Sequence, residues 1–311
     1  MIRVEKYTSE KKIVWNTFVK DAKNSLFMHN RDFMEYHSDR FCDNSLIFYD
    51  DEEIIALLPC SKKDNKLFSH GGLTYGGFIM NTKMKQHHMN DCIQALCEYM
   101  ENYSIDSILY KCIPFIYHKQ PAQEDIYSLF LFGATINKIE PSTVINLKQP
   151  LKMPKGRKAQ IGRARREGVL IQESTDFDSF IALENSVLGE HHNTKAVHTG
   201  EELNLLHSRF PDNIKLYAAI YMDEMIAGTV IFVYDTVVHT QYMAANEKAR
   251  EIGALDLAIS TVIDLYKDNK SFLDFGISSE ENGLILNEGL ISQKEGFGGR
   301  SIVYQTFELK V

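Results

Sequence analysis

Apolar residues along this chain recur in two registers, period two and period three-to-four, and the order in which the registers appear repeats. Phe48-Tyr49-Asp50-Asp51-Glu52-Glu53-Ile54-Ile55-Ala56-Leu57-Leu58 reads as strand, acidic turn, strand; Ile220-Tyr221-Met222-Asp223-Glu224-Met225-Ile226-Ala227-Gly228-Thr229-Val230 has the same form. Tyr49, Asp51, Glu52 and Ile54 correspond to Tyr221, Asp223, Glu224 and Ile226. A further extended segment follows each hairpin, over 66–80 and 237–245. Helical periodicity comes next: Met89, Cys92, Ile93, Leu96, Cys97 and Met100 in the first half, Leu255, Ala258, Ile259, Val262, Ile263 and Tyr266 in the second. Short strands over 107–112 and 271–275 close the two units, and helix candidates over 11–23 and 176–188 open them. The pattern predicts an α/β chain made of two like domains. Pro150 and Pro154 block both helix and interior strand, so the domains are expected at 1–150 and 151–311.

Composition narrows the function classes. At 311 residues, 44% hydrophobic and 24% charged, the chain is long enough to bury a core without metals or disulfides. Its net charge of −8 argues against coating nucleic acid, so no DNA partner is expected. Cys42, Cys60, Cys92, Cys97 and Cys112 are odd in number and form no C-x-x-C pair, which fits free thiols in a reducing compartment. Met1-Ile2-Arg3-Val4-Glu5-Lys6 leads into charged sequence, and no apolar run approaches the roughly 18 residues of a membrane span. A cytoplasmic protein without membrane insertion is the expectation.

Three stretches carry candidate chemistry. Six of the twelve residues from Lys155 to Arg166 are basic in an otherwise acidic chain. They make either a solvated cap helix or a phosphate clamp in which Arg157 and Lys158 fork onto an anion. His239-Thr240-Gln241-Tyr242 places four polar residues in an apolar strand. Alternation sends His239 and Gln241 to one face, Thr240 and Tyr242 to the other; they either form a core network or face a cleft. The stretch 190–207 holds His191, His192, His198 and His207 beside Glu190, Glu201 and Glu202. No H-E-x-x-H or other closed ligand spacing appears, so no metal is expected. A substrate-facing loop using His191 and His198, or exposed histidines, accounts for them.

Glu247-Lys248-Ala249-Arg250-Glu251-Ile252-Gly253-Ala254-Leu255 is strand end, Arg- and Gly-bearing loop, then helix start. It resembles the R/Q-x-x-G-x-G/A loop of GCN5-related N-acetyltransferases (GNATs), with Leu255 where a small residue is usual. In that family backbone N–H groups at the helix start hold a pyrophosphate. The resemblance implies acetyl-CoA or another acyl-CoA as co-substrate, held by Arg250, Gly253 and Ala254. Arg157-Lys158 through Arg163-Ala164 to Gly168-Val169, Leu273-Asp274-Phe275-Gly276, and Lys294-Glu295-Gly296-Phe297-Gly298-Gly299 resemble the second domain of FemABX-type and BioF2-like transferases. Gln293 stands where their closing motif has Phe, and Thr74-Tyr75-Gly76-Gly77 is similar to their first-domain turn.

What this implies is two tandem GNAT-like domains, each a mixed, mostly antiparallel sheet flanked by helices, and transfer of an acyl group to an amine. The acceptor would be a small molecule such as an amino sugar or a cell-envelope precursor. His239 would be the base, Lys294 the oxyanion partner and Tyr242 the proton donor to the leaving group. Tyr75, Gly76, Arg157, Lys158, His191, His198, Gln241 and Asp274 would line the substrate site. Two alternatives stand beside it: aminoacyl transfer from tRNA, against which the missing coiled-coil arm counts, and a non-catalytic phosphate- or nucleotide-binding protein on the same scaffold.

Overall fold

Both predicted hairpins form. The structure, a computed structural model, describes residues 2–192 and 195–311. It divides into two compact units: Met1–Glu140 with Glu281–Gly283 and Val303–Val311, and Pro141–Glu280 with Leu284–Ile302. The first division falls ahead of Pro150, and the end of the chain returns to the first unit.

The first unit contains strands β1 (Ile2–Lys6), β2 (Leu46–Asp50), β3 (Glu53–Leu58), β4 (Ser61–Lys63), β5 (Lys66–Phe68), β6 (Ile79–Met80) and β7 (Ser107–Lys111), with helices α1 (Lys12–Asp21), α2 (Arg31–Met34), α3 (Gln86–Asn102) and α4 (Glu124–Leu131). Strands β1, β2, β3 and β6 pair antiparallel in that order. Strand β5 pairs antiparallel with β4 and parallel with β7. Thr306–Lys310, from the chain's last strand, closes on the other side of β7. The apolar face of α3 (Met89, Cys92, Ile93, Leu96, Met100) enters the core as its period predicts, beside Phe48, Phe78 and Leu309. Burial pushes the Cys60, Cys92 and Cys112 thiols up, so they stay protonated and unreactive. The segment 66–80, expected to be extended throughout, is strand only at its two ends. Between them His70 takes φ +53° and Gly77 φ +80°, which break the ladder.

The second unit begins within β8 (Thr135–Asn146) and continues as α5 (Lys155–Arg166), β9 (Leu170–Ser174), α6 (Phe177–His192), α7 (Gly200–Arg209), β10 (Ile214–Tyr221), β11 (Glu224–Val233), β12 (Val237–Ala245), α8 (Glu247–Ile252), α9 (Ala254–Tyr266), β13 (Phe272–Ile277), β14 (Ser279–Glu280), β15 (Ile285–Leu286) and α10 (Glu288–Glu295). Strand β16 (Arg300–Lys310) ends the chain. Strands β9 to β12 pair antiparallel in sequence order, β12 pairs parallel with β13, and β13 antiparallel with β8. Helix α9 buries Leu255, Ala258, Ile259, Val262 and Tyr266. Its core is shared with Ile231, Val233 and Val238 on one face of the sheet and with Ile161 and Ala164 of α5. Helix α6 covers the opposite face: a Cβ added at Gly228 would press on the Phe180 ring at 3.1 Å.

Among the described residues no helix is long and apolar enough to cross a membrane, and no group of His, Cys, Asp or Glu is arranged to hold a metal ion.

Candidate active site

The pairing of β12 with β13 lasts three residues. Val237, Val238 and His239 pair with Phe272, Leu273 and Asp274, and β12 then runs on to Ala245 paired with β11. Backbone groups of β12 beyond His239 therefore open toward the gap between the parted strands. Polar side chains concentrate at the fork. Asp274 is fully buried. Its Oδ1 accepts from Ser142 Oγ at 2.5 Å and from the Gly276 N–H at 2.9 Å, while Oδ2 stands 3.6 Å from Nδ1 of the buried His239. Lys294, on the last turn of α10 and 3% exposed, donates from Nζ to the carbonyls of Gly276 (3.0 Å) and Ile277 (2.6 Å). Burial pulls its ammonium down to about 8, opposed by the Asp274 charge. Gly276, at φ +73°, lets the turn pass over the His239 ring.

Tyr242 and Gln241 follow on the same strand, with a correction to the expected faces. The β11–β12 register slips between Val230 and Ile231, so that Thr240 opposes Ile231 and Tyr242 opposes Val230. Gln241 is the extra residue of a β-bulge. His239 opposes Phe232, two residues from Val230, so His239 and Tyr242 share the α6 face; simple alternation had put them on opposite sides. Thr240 joins Val238 on the α9 face. The Tyr242 hydroxyl lies 2.6 Å from His198 Nδ1 and accepts the His198 N–H at 3.2 Å. Burial pushes it up to about 12. His198 is buried just before the capping box that starts α7, in which Thr199 and Glu202 bond each other's backbone N–H. The side chain of His191 lies outside the described residues.

Beyond the bulge lies a cleft of about 290 Å³, lined among others by Met243, Ala245, Arg250, Gly253, Leu255 and Asp256, with Arg157, Val187 and Gln293 around it. The residues expected to hold a phosphate, Arg250 and Gly253, thus share a wall with Arg157. Their roles are partly structural. Gly253 adopts φ +80° between α8 and α9, and a Cβ there would stand 2.7 Å from the Gln160 carbonyl of α5. Ala254 and Leu255 pack into the α9 core, and Leu255 also edges the cleft. The Arg250 guanidinium donates to the Ala245 carbonyl at 3.0 Å. That of Arg157 pairs with Asp256, donates to Gln293 O at 2.9 Å and stacks 4.3 Å over the Phe297 ring. Lys158 is exposed on α5.

Tyr75 and Gly76 lie in the first unit. The Tyr75 hydroxyl is buried against those of Tyr117 at 2.7 Å and Tyr304 at 2.5 Å, and Gly76 runs against the Ser69 backbone too closely for a side chain. Sequence reasoning missed Glu184 on α6, which acts electrostatically on the Tyr242 hydroxyl. A carboxylate continuing the Phe177, Phe180, Ile181 stripe was the signal that could have found it.

Residues 155–281 match the acetyltransferase (GNAT) domain model. No curated protein resembles the chain at the level of sequence. Among solved structures, FemX superposes with a TM-score of 0.69 at 9% identity, covering 99% of this chain and 97% of that one. L-PGS from Bacillus licheniformis gives 0.61 at 13% identity over 98% and 93%. A tandem GNAT protein from the clavulanic acid biosynthesis pathway gives 0.55 at 9% identity over 100% and 98%. Residues 155–281 therefore match an acetyltransferase (GNAT) domain, within a chain whose fold is that of FemX, L-PGS and a tandem GNAT protein.

Proposed function

We propose that this protein moves an acyl group from acyl-CoA to the amine of a small molecule, with the chemistry at the fork of β12 and β13. One observation carries the reading: the strands part at His239 and Asp274 with Lys294 buried beside them. A carbonyl lodged in the gap meets the free backbone edge of β12 and the third N–H of Lys294, two of whose protons go to Gly276 and Ile277. The amine nitrogen attacks the carbonyl carbon, a C–N bond forms, and charge gathers on the oxygen, where fixed donors stabilise it. His239 takes the proton released from nitrogen. The C–S bond then breaks, and Tyr242 supplies a proton to the departing sulfur. CoA phosphates would face Arg250 and the Gly253 turn; pairing with Arg157 neutralises the Asp256 charge that would otherwise repel them.

The exposed cations of α5, among them Lys155, Lys158, Arg165 and Arg166, favour a second reading in which the donor is aminoacyl-tRNA. A panel of amino sugars and cell-envelope precursors, supplied with acetyl-CoA or with aminoacyl-tRNA and followed by mass spectrometry, separates the two. K294A is expected to lower kcat by about 10²–10³ while leaving acetyl-CoA binding within about threefold of wild type, as for loss of one oxyanion donor. Saturating acetyl-CoA that leaves the Tm unmoved counts against the CoA donor. Absence of turnover across the whole panel returns the chain to a binding role.

A further inference from the structure

Strand β1 stands at the end of the β1–β2–β3–β6 sheet and is paired on one side, with β2. Its ladder has a definite parity. The Tyr7 N–H donates to the Ser45 carbonyl at 2.8 Å, and hydrogen-bonded couples alternate along an antiparallel pair. Glu5 with Ile47 and Arg3 with Tyr49 are therefore the couples that exchange bonds. Ile2, Val4 and Lys6 turn their N–H and C=O groups the other way, toward the open edge. A cleft of about 600 Å³ follows that edge between β1 and the last turns of α3, lined among others by Ile2, Val4, Lys6, Glu98, Tyr99 and Tyr103. The Tyr103 ring, 61% exposed, lies 4.5 Å from that of Tyr99.

Charge along β1 has a symmetry of its own. Ile2-Arg3-Val4-Glu5-Lys6, set antiparallel to itself about Val4, brings Ile2 to Lys6, Arg3 to Glu5 and Val4 to Val4. Arg3 and Glu5 pair with each other on the far face of the sheet, where Arg3 stacks 4.2 Å over the Tyr49 ring, and both still reach solvent. Lys6 and Glu98 are exposed at the cleft, and among the described residues no acid pairs with Lys6. Charges on an edge strand ordinarily repel another strand. Here reversal of the chain sets opposite signs face to face, so the same charges favour one partner.

We propose that β1 pairs antiparallel with β1 of a second copy about a twofold axis at Val4, so that the protein forms a homodimer with a sheet continuous across the two chains. Parity supports it. Because Val4 faces outward, the two Val4 residues make a hydrogen-bonded couple, and Ile2 and Lys6 do the same with Lys6 and Ile2 of the second copy, each couple exchanging two main-chain bonds. Arg3 then lies opposite Glu5 of the second copy, in a couple of the kind where side chains come closest. Lys6 of the second copy, opposite Ile2, arrives at the cleft that Glu98 borders. The contact is isologous, so it closes at two chains.

The test is sedimentation of the full chain from about 1 to 200 μM, over which monomer is expected to give way to dimer, the weak range of a small interface. R3E and E5R each set like charges opposite one another and are expected to weaken association about tenfold or more. Mixed in equal amounts, the two variants put opposite signs back into every couple, and a heterodimer is expected to form about as tightly as wild type. V4P removes an outward N–H that the β2 ladder does not use; an edge strand tolerates this, so V4P should fold and stay monomeric. Thermal melts check that the variants fold. Amide exchange of wild type gives an independent reading, with Val4 and Lys6 gaining protection as concentration rises. A wild type that stays monomeric overturns the proposal and leaves the edge to an extended peptide of another protein. Dimers that persist in all three variants, a mixture that stays monomeric, or exchange at Val4 and Lys6 that ignores dimerisation overturn it as well.

Discussion

Glu184 and Lys294 are both buried against their charged forms, and each writes a different pH signature into stability. The Glu184 carboxyl is raised to about 7 from its ordinary 4.5, so the folded protein holds a proton there that the unfolded chain has released. Stability therefore falls as pH rises from about 4.5 to 7, and the burial cost is fully present above 7. E184Q removes that cost. Its Tm should exceed wild type by a few degrees at pH 8, for a cost on the order of 1–3 kcal/mol, and should match wild type at pH 4.5. Melts across that range check the sign; a variant less stable than wild type at pH 8 would mean that the carboxylate has a partner. Lys294 runs the other way: lowered to about 8 from 10.5, it costs most below pH 8, and that cost is relieved toward 10.5. A protein that keeps two such groups, one beside the fork and one acting on the Tyr242 hydroxyl, carries their cost in stability, which fits a site shaped for reaction rather than for packing.

Elements show what the sequence could and could not say. The α3 and α9 stripes were legible because a helix buries every third or fourth residue whatever it packs on. The hairpins were legible from their acidic turns; Asp51 and Asp223 both sit at positive φ there. Relative orientation along β12 was not legible. A single bulge residue, Gln241, moves Tyr242 to the face of His239, and nothing in a run of polar residues marks which one is extra. Tyr75 and Gly76 matched a motif, yet the structure uses them to pack a tyrosine cluster and a backbone crossing. Gly253 joins both lessons, since the phosphate-loop reading and the backbone requirement fall on one residue. G253A should cost about 1–3 kcal/mol, from the left-handed φ and the Gln160 carbonyl at 2.7 Å. G156A, on exposed α5 with nothing within 4 Å, should be neutral or stabilise by up to about 1 kcal/mol. Chemical denaturation of the pair separates backbone strain from a generic glycine effect. Equal midpoints would leave Gly253 with only its ligand role.

At the scale of the whole chain, sequence order and folding unit part company at the C-terminus. Proline spacing suggested a cut near residue 150 and a second domain running to the end. The last strand instead delivers Phe307 and Leu309 to the first unit's core and pairs Thr306–Lys310 with β7. No local pattern forecasts this, because an alternating strand fits any sheet edge with an apolar face beside it. The consequence can be tested by truncation. A chain ending at Ile302 loses two buried core side chains and one complete ladder of β7, while no residue of the 155–281 acetyltransferase match is touched. Burial of Phe307 and Leu309 alone is worth about 3–6 kcal/mol by transfer free energy, a large share of the total stability of a domain of this size. Hydrogen exchange on the truncated chain should therefore show β7 and β5 losing protection, because β7 has been stripped to an edge with its core side uncovered. If β7 exchanges as slowly as in the full chain, the first unit's core closes without the chain end, and the last strand serves only as an edge cover.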